Sequence, residues 1–202
     1  MTGPLRQREQ YAKGGIGKWY WDFRDRRTLS YIGEEKIIVD VGCGEGITLG
    51  KLVNKFPGRQ IAGIDYSPKN VEVCKEHQLP AREGNVYDLD FGEGSVDCCL
   101  FMEVIEHLLD PLKALREIHR IMRKEGLLLL VFPNDLPFKI ARLACLKFQE
   151  AFTPSGHVKQ WTPREMRKAV GSAGFTIADL QCLPSYFWWY SLHCLVVARK
   201  GQ

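Results

Sequence analysis

Apolar residues in this chain recur with two periods, and the order in which those periods follow one another predicts its elements. Ile37 to Val41 is a short apolar run cut off by Gly42, Gly44 and Gly46, and Leu49, Leu52, Val53 and Phe56 follow at helical spacing. Strand, glycine loop and helix are therefore expected in that order. Gln60 to Asp65 reads as a second strand, after which Ser67 can cap and Pro68 can open a helix with Val71 and Cys74 on one side. Residues 81 to 86 and 95 to 101 are two further strands, the latter apolar enough for a central parallel position. Pro111 starts a helix whose Leu112, Leu115, Ile118 and Met122 face inward while Lys113, Arg116, Arg120 and Arg123 face water, and Gly126 is expected to end it. Leu127 to Phe132 is a fully apolar strand stopped by Pro133 and Asn134. Thr162-Pro163-Arg164-Glu165 spells a capping box, followed by Met166, Ala169, Val170 and Ala173 at helical spacing and a closing Gly174. Two strands near 175 to 181 and 191 to 199 finish the chain.

Strands alternating with helices predict an α/β fold with a doubly wound sheet, in which ligands sit at the carboxyl ends of the strands. A single domain over 1–202 is expected, with an N-terminal cap segment at 1–36, a cofactor-binding half at 37–134, an insert or lid at 135–160 and a C-terminal helix with strands at 161–202. Trp19-Tyr20-Trp21 in the cap segment either packs on the domain or covers a site. At 202 residues with 45% hydrophobic and 26% charged content the chain is too apolar for disorder. It is also large enough to hold a core without staples. The seven cysteines are odd in number and never form C-x-x-C, which fits neither a disulfide framework nor a zinc ribbon and suggests reduced thiols in a cytoplasmic protein. No secretory signal is visible in the first twenty residues and no stretch is long enough to span a bilayer. Tyr186 to Ala198 reads as a buried strand with an aromatic approach, the other reading being contact with a membrane surface. Residues 37 to 112 carry 6 basic and 13 acidic residues, whereas the whole chain has a net charge of +4, so the central region is the acidic one.

That acidity bears on the glycine loop. A loop between a first strand and its helix lets backbone approach a ligand closely, and an acid ending the second strand can accept both hydroxyls of a ribose. Here these are Asp40-Val41-Gly42-Cys43-Gly44-Glu45-Gly46 and Asp65. A dinucleotide would place its pyrophosphate over the helix start, where the fixed negative charge of Glu45 is unwelcome. The G-x-G-x-G spacing also lacks the third glycine of the dinucleotide fingerprint. A cofactor with a cationic end and no phosphate suits the loop better, and S-adenosylmethionine is such a molecule.

Ile-Ile-Val-Asp-Val-Gly-Cys-Gly-Glu-Gly, Gly-Ile-Asp-Tyr-Ser-Pro, Phe-Met-Glu-Val-Ile-Glu-His-Leu-Leu-Asp-Pro, Leu-Val-Phe-Pro-Asn and the closing Thr-Pro-Arg-Glu-Met with Ala-Gly-Phe follow one another along the chain. From about 37 to 180 it resembles the class I S-adenosylmethionine-dependent methyltransferases. The resemblance implies a Rossmann-like, doubly wound seven-stranded sheet, mostly parallel with an antiparallel last strand. It also implies that Gly42, Cys43, Gly44 and Gly46 hold the methionine part, with Asp40 acting through the loop and on the amino group. Asp65 would hold the ribose hydroxyls and Tyr66 would lie against the adenine. Where the family often has an aspartate at the end of the third strand, this chain has Gly84-Asn85, so Asn85 and Val86 would meet the base, Asn85 through its carbonyl. Met102 and Glu103 would border the methionine part.

Methyl transfer from a sulfonium is an in-line displacement in which positioning supplies much of the rate, and a base within reach of the acceptor's proton adds to it. His107 and His157 are the candidate bases, while His77, His119 and His193 fall on regular elements and read as structural. Two subfamilies are similar beyond the core. The Glu-Val-Ile-Glu-His-Leu-Leu-Asp-Pro segment resembles ubiquinone-pathway O-methyltransferases, which implies a small, partly apolar acceptor methylated on oxygen and makes the amphipathic stretch 136–152 a candidate lid. Glu103, Glu106, His107 and His157, with Trp161-Thr162 behind, also occupy places where small-RNA 3′-terminal 2′-O-methyltransferases bind magnesium. No metal site is assigned here, since the Glu-x-x-Glu-His run is widespread in metal-free relatives, and a nucleic-acid partner is not expected. A non-catalytic cofactor-binding protein is the remaining alternative. The acceptor's identity and the oligomeric state are not encoded in any motif.

Overall fold

The computed structural model describes residues 7–134, 158–185 and 191–201. Two helices, α1 (Gln7–Ala12) and α2 (Gly15–Leu29), precede β1 (Ile37–Val41), and α3 (Ile47–Lys55), β2 (Gln60–Asp65), α4 (Pro68–Glu76) and β3 (Ala81–Glu83) follow. Beyond these come β4 (Val96–Met102), a single 3-10 turn at Ile105–His107, α5 (Pro111–Ile121), β5 (Met122–Pro133), α6 (Pro163–Ser172), β6 (Phe175–Leu183) and β7 (His193–Lys200). The strands form one seven-stranded sheet in the order β3-β2-β1-β4-β5-β7-β6. Neighbours from β3 through β5 are parallel, whereas β7 runs antiparallel to both β5 and β6. This is the mixed, doubly wound sheet expected, with its antiparallel strand last in the chain.

The sheet is buried on both faces, which is why its strands read as continuous apolar runs. In β1, Ile38 packs with Leu49 and Leu52 of α3 and Leu29 of α2, while the next residue, Val39, packs on the other face with Leu115 and Ile118 of α5. Helix signals in the sequence act as expected: the Ser67 hydroxyl accepts from Asn70 N, Asp110 caps α5 by accepting from Lys113 N, and Thr162 and Glu165 close a reciprocal capping box.

Several boundaries differ from the sequence expectation. Helix α5 stops at Ile121, and Met122 already pairs with Val96 as the first residue of β5. Met122 is fully buried in either role, so an apolar position at helical spacing also suits a strand start. β3 ends at Glu83 rather than 86, because Gly84 N turns back to the Asp65 carbonyl and Asn85 Oδ1 accepts from Tyr87 N. β6 and β7 each reach one or two residues further toward the carboxyl end, and β4 runs one residue longer, to Met102. Helix α2 had no counterpart in the apolar pattern, since its buried positions include Arg24, Asp25 and Thr28 beside Tyr20 and Leu29. Of the aromatic trio, Tyr20 is buried, Trp21 stacks on Tyr11 of α1 and Trp19 on Phe23. Six of the cysteines are free thiols, and Cys145 lies outside the described residues. No described helix is long and apolar enough to cross a membrane. The candidate lid 136–152 and the aromatic approach 186–190 lie outside the described residues.

Candidate functional site

β1 and β4 are parallel neighbours at the middle of the sheet. The chain leaves β1 for α3 on one face and leaves β4 for α5 on the other. Such a switch point opens a crevice beyond the carboxyl ends of the strands. A cleft of about 480 Å³ lies there. Its floor is the glycine loop, pulled back against β2 by two bonds from Gly42 N and Cys43 N to the Ile64 carbonyl, at 2.7 and 3.0 Å. Gly42 has φ +79°, and a Cβ on it would run into the Val104 side chain. Gly44 has φ +54°, and a Cβ there would sit 2.9 Å from Gln7 Oε1. Both positions need glycine for conformation and for space.

Asp65 ends β2 with both oxygens turned to local N–H groups. Its Oδ2 accepts from Gly44 N at 2.7 Å, and its Oδ1 accepts from Ser67 N at 2.9 Å and Asn70 Nδ2 at 3.0 Å. A carboxylate has about four acceptor positions, so these three bonds fix Asp65 across the mouth of the loop and leave Oδ2 able to accept again.

Of the expected site residues, Gly42, Gly44, Asp65, Tyr66, Asn85, Val86, Glu103 and His107 line this one cleft. Tyr66 is 81% exposed at its rim. Asn85 Oδ1 takes the Tyr87 N–H and retains one lone pair for a ligand. Cys43 and Met102 lie behind the wall, in the core shared with α3, and Gly46 serves as the left-handed N-cap of α3. Glu45 departs from the sequence argument. Its carboxylate accepts from Arg8 N at 2.8 Å, its carbonyl accepts from Arg8 Nε at 2.6 Å, and it does not line the cleft. Its charge caps the first turn of α1, so the acidity facing a ligand comes from Asp65 and Glu103 on the wall and Asp40 beneath it.

Asp40 is 2% exposed and its Oδ2 has no hydrogen-bond partner among the described residues. Burial, with the nearby charges of Asp25 and Asp65, pushes its carboxyl up to about 7, against the opposing pull of Arg24. An unpaired buried carboxyl oxygen is costly, and one beneath a crevice suits a ligand that brings a cation. Glu103 behaves in the opposite way. Burial alone would raise its carboxyl, but Arg24 and His193 outweigh that and hold it well below the usual carboxylate range. Its backbone is left-handed at φ +55°, which is uncommon for a residue with a Cβ and costs on the order of 1–3 kcal/mol.

Three residues here escaped the sequence argument. Gln7 lines the cleft from α1. Arg24 of α2, 6% exposed, pairs with Asp25 at 2.8 Å and with Glu103 at 2.7 Å. His193, read from the sequence as structural, bonds Glu103 through Nε2 and lies with Nδ1 2.7 Å from the Tyr20 hydroxyl. The only signal for them was a charged pair, Arg24-Asp25, inside an aromatic-rich segment.

His107 closes the 3-10 turn after β4 with its ring partly exposed at the cleft. His157 lies outside the described residues. Val158, next in the chain, donates from its backbone N to the Glu106 carbonyl at 2.8 Å. Among the described residues no three His, Cys, Asp or Glu side chains converge as metal ligands, and Glu103 faces Arg24 and His193 instead.

Comparison with known proteins places this geometry. The family model described as a methyltransferase domain matches residues 39–130. A ubiquinone biosynthesis O-methyltransferase of Mesorhizobium japonicum is 32% identical over 157 residues, covering 70% of this chain and 60% of its own length. The chain spans about half the length of the curated relatives it matches. Among solved structures, a chain of the complex between the Haloferax volcanii Trm112 methyltransferase activator and a methyltransferase superposes with a TM-score of 0.74 at 21% identity, covering 95% of this chain and 94% of that one. A SAM-dependent methyltransferase from Archaeoglobus fulgidus gives 0.72 at 15% identity, covering 89% and 93%. The glycine loop, Asp65 and the 103–107 segment meet at the switch point of this sheet, and the chain matches the methyltransferase-domain family over residues 39–130 and is similar to S-adenosylmethionine-dependent methyltransferases.

Proposed function

We propose that this chain transfers a methyl group from S-adenosylmethionine to a small, partly apolar acceptor, with oxygen as the favoured atom. The observation that carries the cofactor reading is the buried, unpartnered Oδ2 of Asp40 under a glycine loop whose cleft is walled by Asp65 and Glu103. Three carboxylates around one crevice repel a pyrophosphate and attract an ammonium or sulfonium.

Each wall has its own task. The glycine loop lets its backbone lie close against the methionine part, while Asp40 acts on the amino group from beneath. Asp65 accepts from the ribose hydroxyls, Tyr66 and Val86 flank the base, and Asn85 accepts from its amino group. Met102 supports the methionine end from behind and Glu103 borders it. S-adenosylmethionine, when bound, supplies a methyl already activated by the sulfonium charge. What remains for the protein is to hold the acceptor in line, exclude water and take up the acceptor's proton. His107, at the cleft rim, is the described group able to accept a hydroxyl proton on a ring nitrogen. The likeness to the ubiquinone-pathway enzyme supports an oxygen acceptor with an apolar body.

Calorimetry with S-adenosylhomocysteine and with NAD separates the nucleotide classes: tight binding of the first and none of the second is expected, and the reverse overturns the assignment. Metabolite extracts incubated with radiolabelled donor then report the acceptor. On that acceptor, His107→Ala is expected to lower turnover about 10²- to 10⁴-fold while S-adenosylhomocysteine affinity stays within about threefold. Equal losses in both would remove His107 as the base.

A further inference from the structure

Arg24 stands where the cap segment meets the cleft. It is a fully charged guanidinium, buried on α2, and each arm of its fork is committed. Nε and Nη2 donate to Asp25 Oδ1 at 2.9 and 2.8 Å, and Nη1 donates to Glu103 Oε1 at 2.7 Å. Asp25 is fully buried, and its second oxygen accepts from Thr48 Oγ1 at 3.1 Å and Lys51 Nζ at 2.7 Å on α3. One cation thus joins α2 to the end of β4 and, through Asp25, to the helix that follows the glycine loop.

Burying so many charges seldom adds stability, because desolvation offsets the attraction between them. An apolar helix face would hold α2 to the sheet at less cost, so the network is better explained by what it does to the cleft. Glu103 keeps a left-handed backbone at the cleft wall, and its side chain is one-third exposed. Between Arg24 and His193 its carboxylate is held in one orientation. Asp40 lies within electrostatic reach of Arg24 and its partner Asp25. The charged or titratable groups facing it are Arg24 and Asp25 from α2, Asp65 from the end of β2, and the thiols of Cys43, Cys74 and Cys99 from the loop, α4 and β4. Arg24 is the cation among them.

We propose that Arg24 is the positioning residue for the methionine end of the cofactor cleft: it fixes Glu103 at the wall and sets the charge that Asp40 presents beneath the glycine loop. This rests on the cofactor assignment above and extends it to a helix outside the matched domain. Among the charges facing Asp40, Arg24 is the one that favours its ionised form, against burial, Asp25 and Asp65. The cap segment is therefore part of the binding site rather than a cover over it.

The test reads binding, not turnover. S-adenosylhomocysteine is titrated calorimetrically across about pH 5.5 to 8.5. Wild-type affinity is expected to rise through about pH 7 as Asp40 ionises, and Asp40→Asn to flatten that rise. Arg24→Gln is expected to move the midpoint up by about one pH unit and to weaken binding at neutral pH about tenfold. Asp25→Asn is expected to move it down. A network that merely anchors α2 weakens binding in both variants with no displacement of the midpoint, and that result overturns the proposal. Should one variant lose its cooperative melting transition, the sign of the shift in the other decides. If the wild type binds no S-adenosylhomocysteine at any pH, the cofactor assignment falls and the proposal with it. Binding with an unmoved midpoint removes the proposal alone.

Discussion

Asp40 and Asp65 are carboxylates at the ends of adjacent parallel strands, and hydrogen bonding separates their roles. Asp65 takes three N–H groups of its own chain, so it is an oriented acceptor. Asp65→Ala is expected to weaken S-adenosylhomocysteine binding about tenfold or more, since bonds to a charged acceptor contribute about 1.5–3 kcal/mol each. The loss of the three local bonds lowers its thermal midpoint as well, while a single cooperative melting transition shows that the domain still folds. Asp40 has an oxygen with no such partner, and its carboxyl is raised to about 7 from the ordinary 3.8. A raised carboxyl binds its proton more tightly folded than unfolded, so the stability it supports is complete below about pH 4 and is lost as pH climbs to about 7. Urea denaturation of the unliganded protein should therefore show Asp40→Asn gaining on the wild type between those limits, by up to about 4 kcal/mol. A constant difference across that range would mean that Asp40 is ionised throughout.

At the scale of elements, the legible parts were those in which local chemistry and tertiary context agree. The capping box of α6 is spelled in four consecutive residues, and the structure contains it, with Glu165 N donating to Thr162 Oγ1 and Thr162 N donating to Glu165 Oε2. Thr162→Ala is expected to cost about 1 kcal/mol, seen as a fall of roughly 2–4 °C in Tm with S-adenosylhomocysteine affinity unchanged. The glycine loop was equally legible, because the turn between β1 and α3 demands residues without a Cβ. Helix α2 was not. Its buried positions, Tyr20, Arg24, Asp25, Thr28 and Leu29, are mostly polar, and a polar helix face has no apolar stripe from which to be read. The α5–β5 boundary was displaced for a related reason: Met122 satisfies the helical spacing and also begins the strand that pairs with Val96.

The whole molecule holds its site through a sheet packed on both faces. Leu129 lies at the centre of β5, bonded between β4 and β7 and fully buried against the α2–α3 side. Leu129→Ala is expected to lower stability by about 2–5 kcal/mol, measured by denaturant unfolding, while the fraction that stays folded binds S-adenosylhomocysteine normally. A loss of affinity beyond the loss of folded protein would show that the cleft depends on packing two strands away.

The sequence by itself determined the strand order's raw material, the doubly wound class, the glycine loop, Asp65 and the cofactor that loop suits. Each of these rests on neighbours within one β-α-β unit, where spacing along the chain fixes spacing in space. Only the tertiary structure decided that Glu45 turns to α1, that Glu103 is clasped by Arg24 and His193, and that one oxygen of Asp40 has no partner among the described residues. The first two of those facts depend on contacts between residues distant in the chain, 37 positions for Arg8 and Glu45 and 79 for Arg24 and Glu103. No local period carries such pairings, because they form only when the sheet brings the ends of β4 and β7 beside a helix that precedes both.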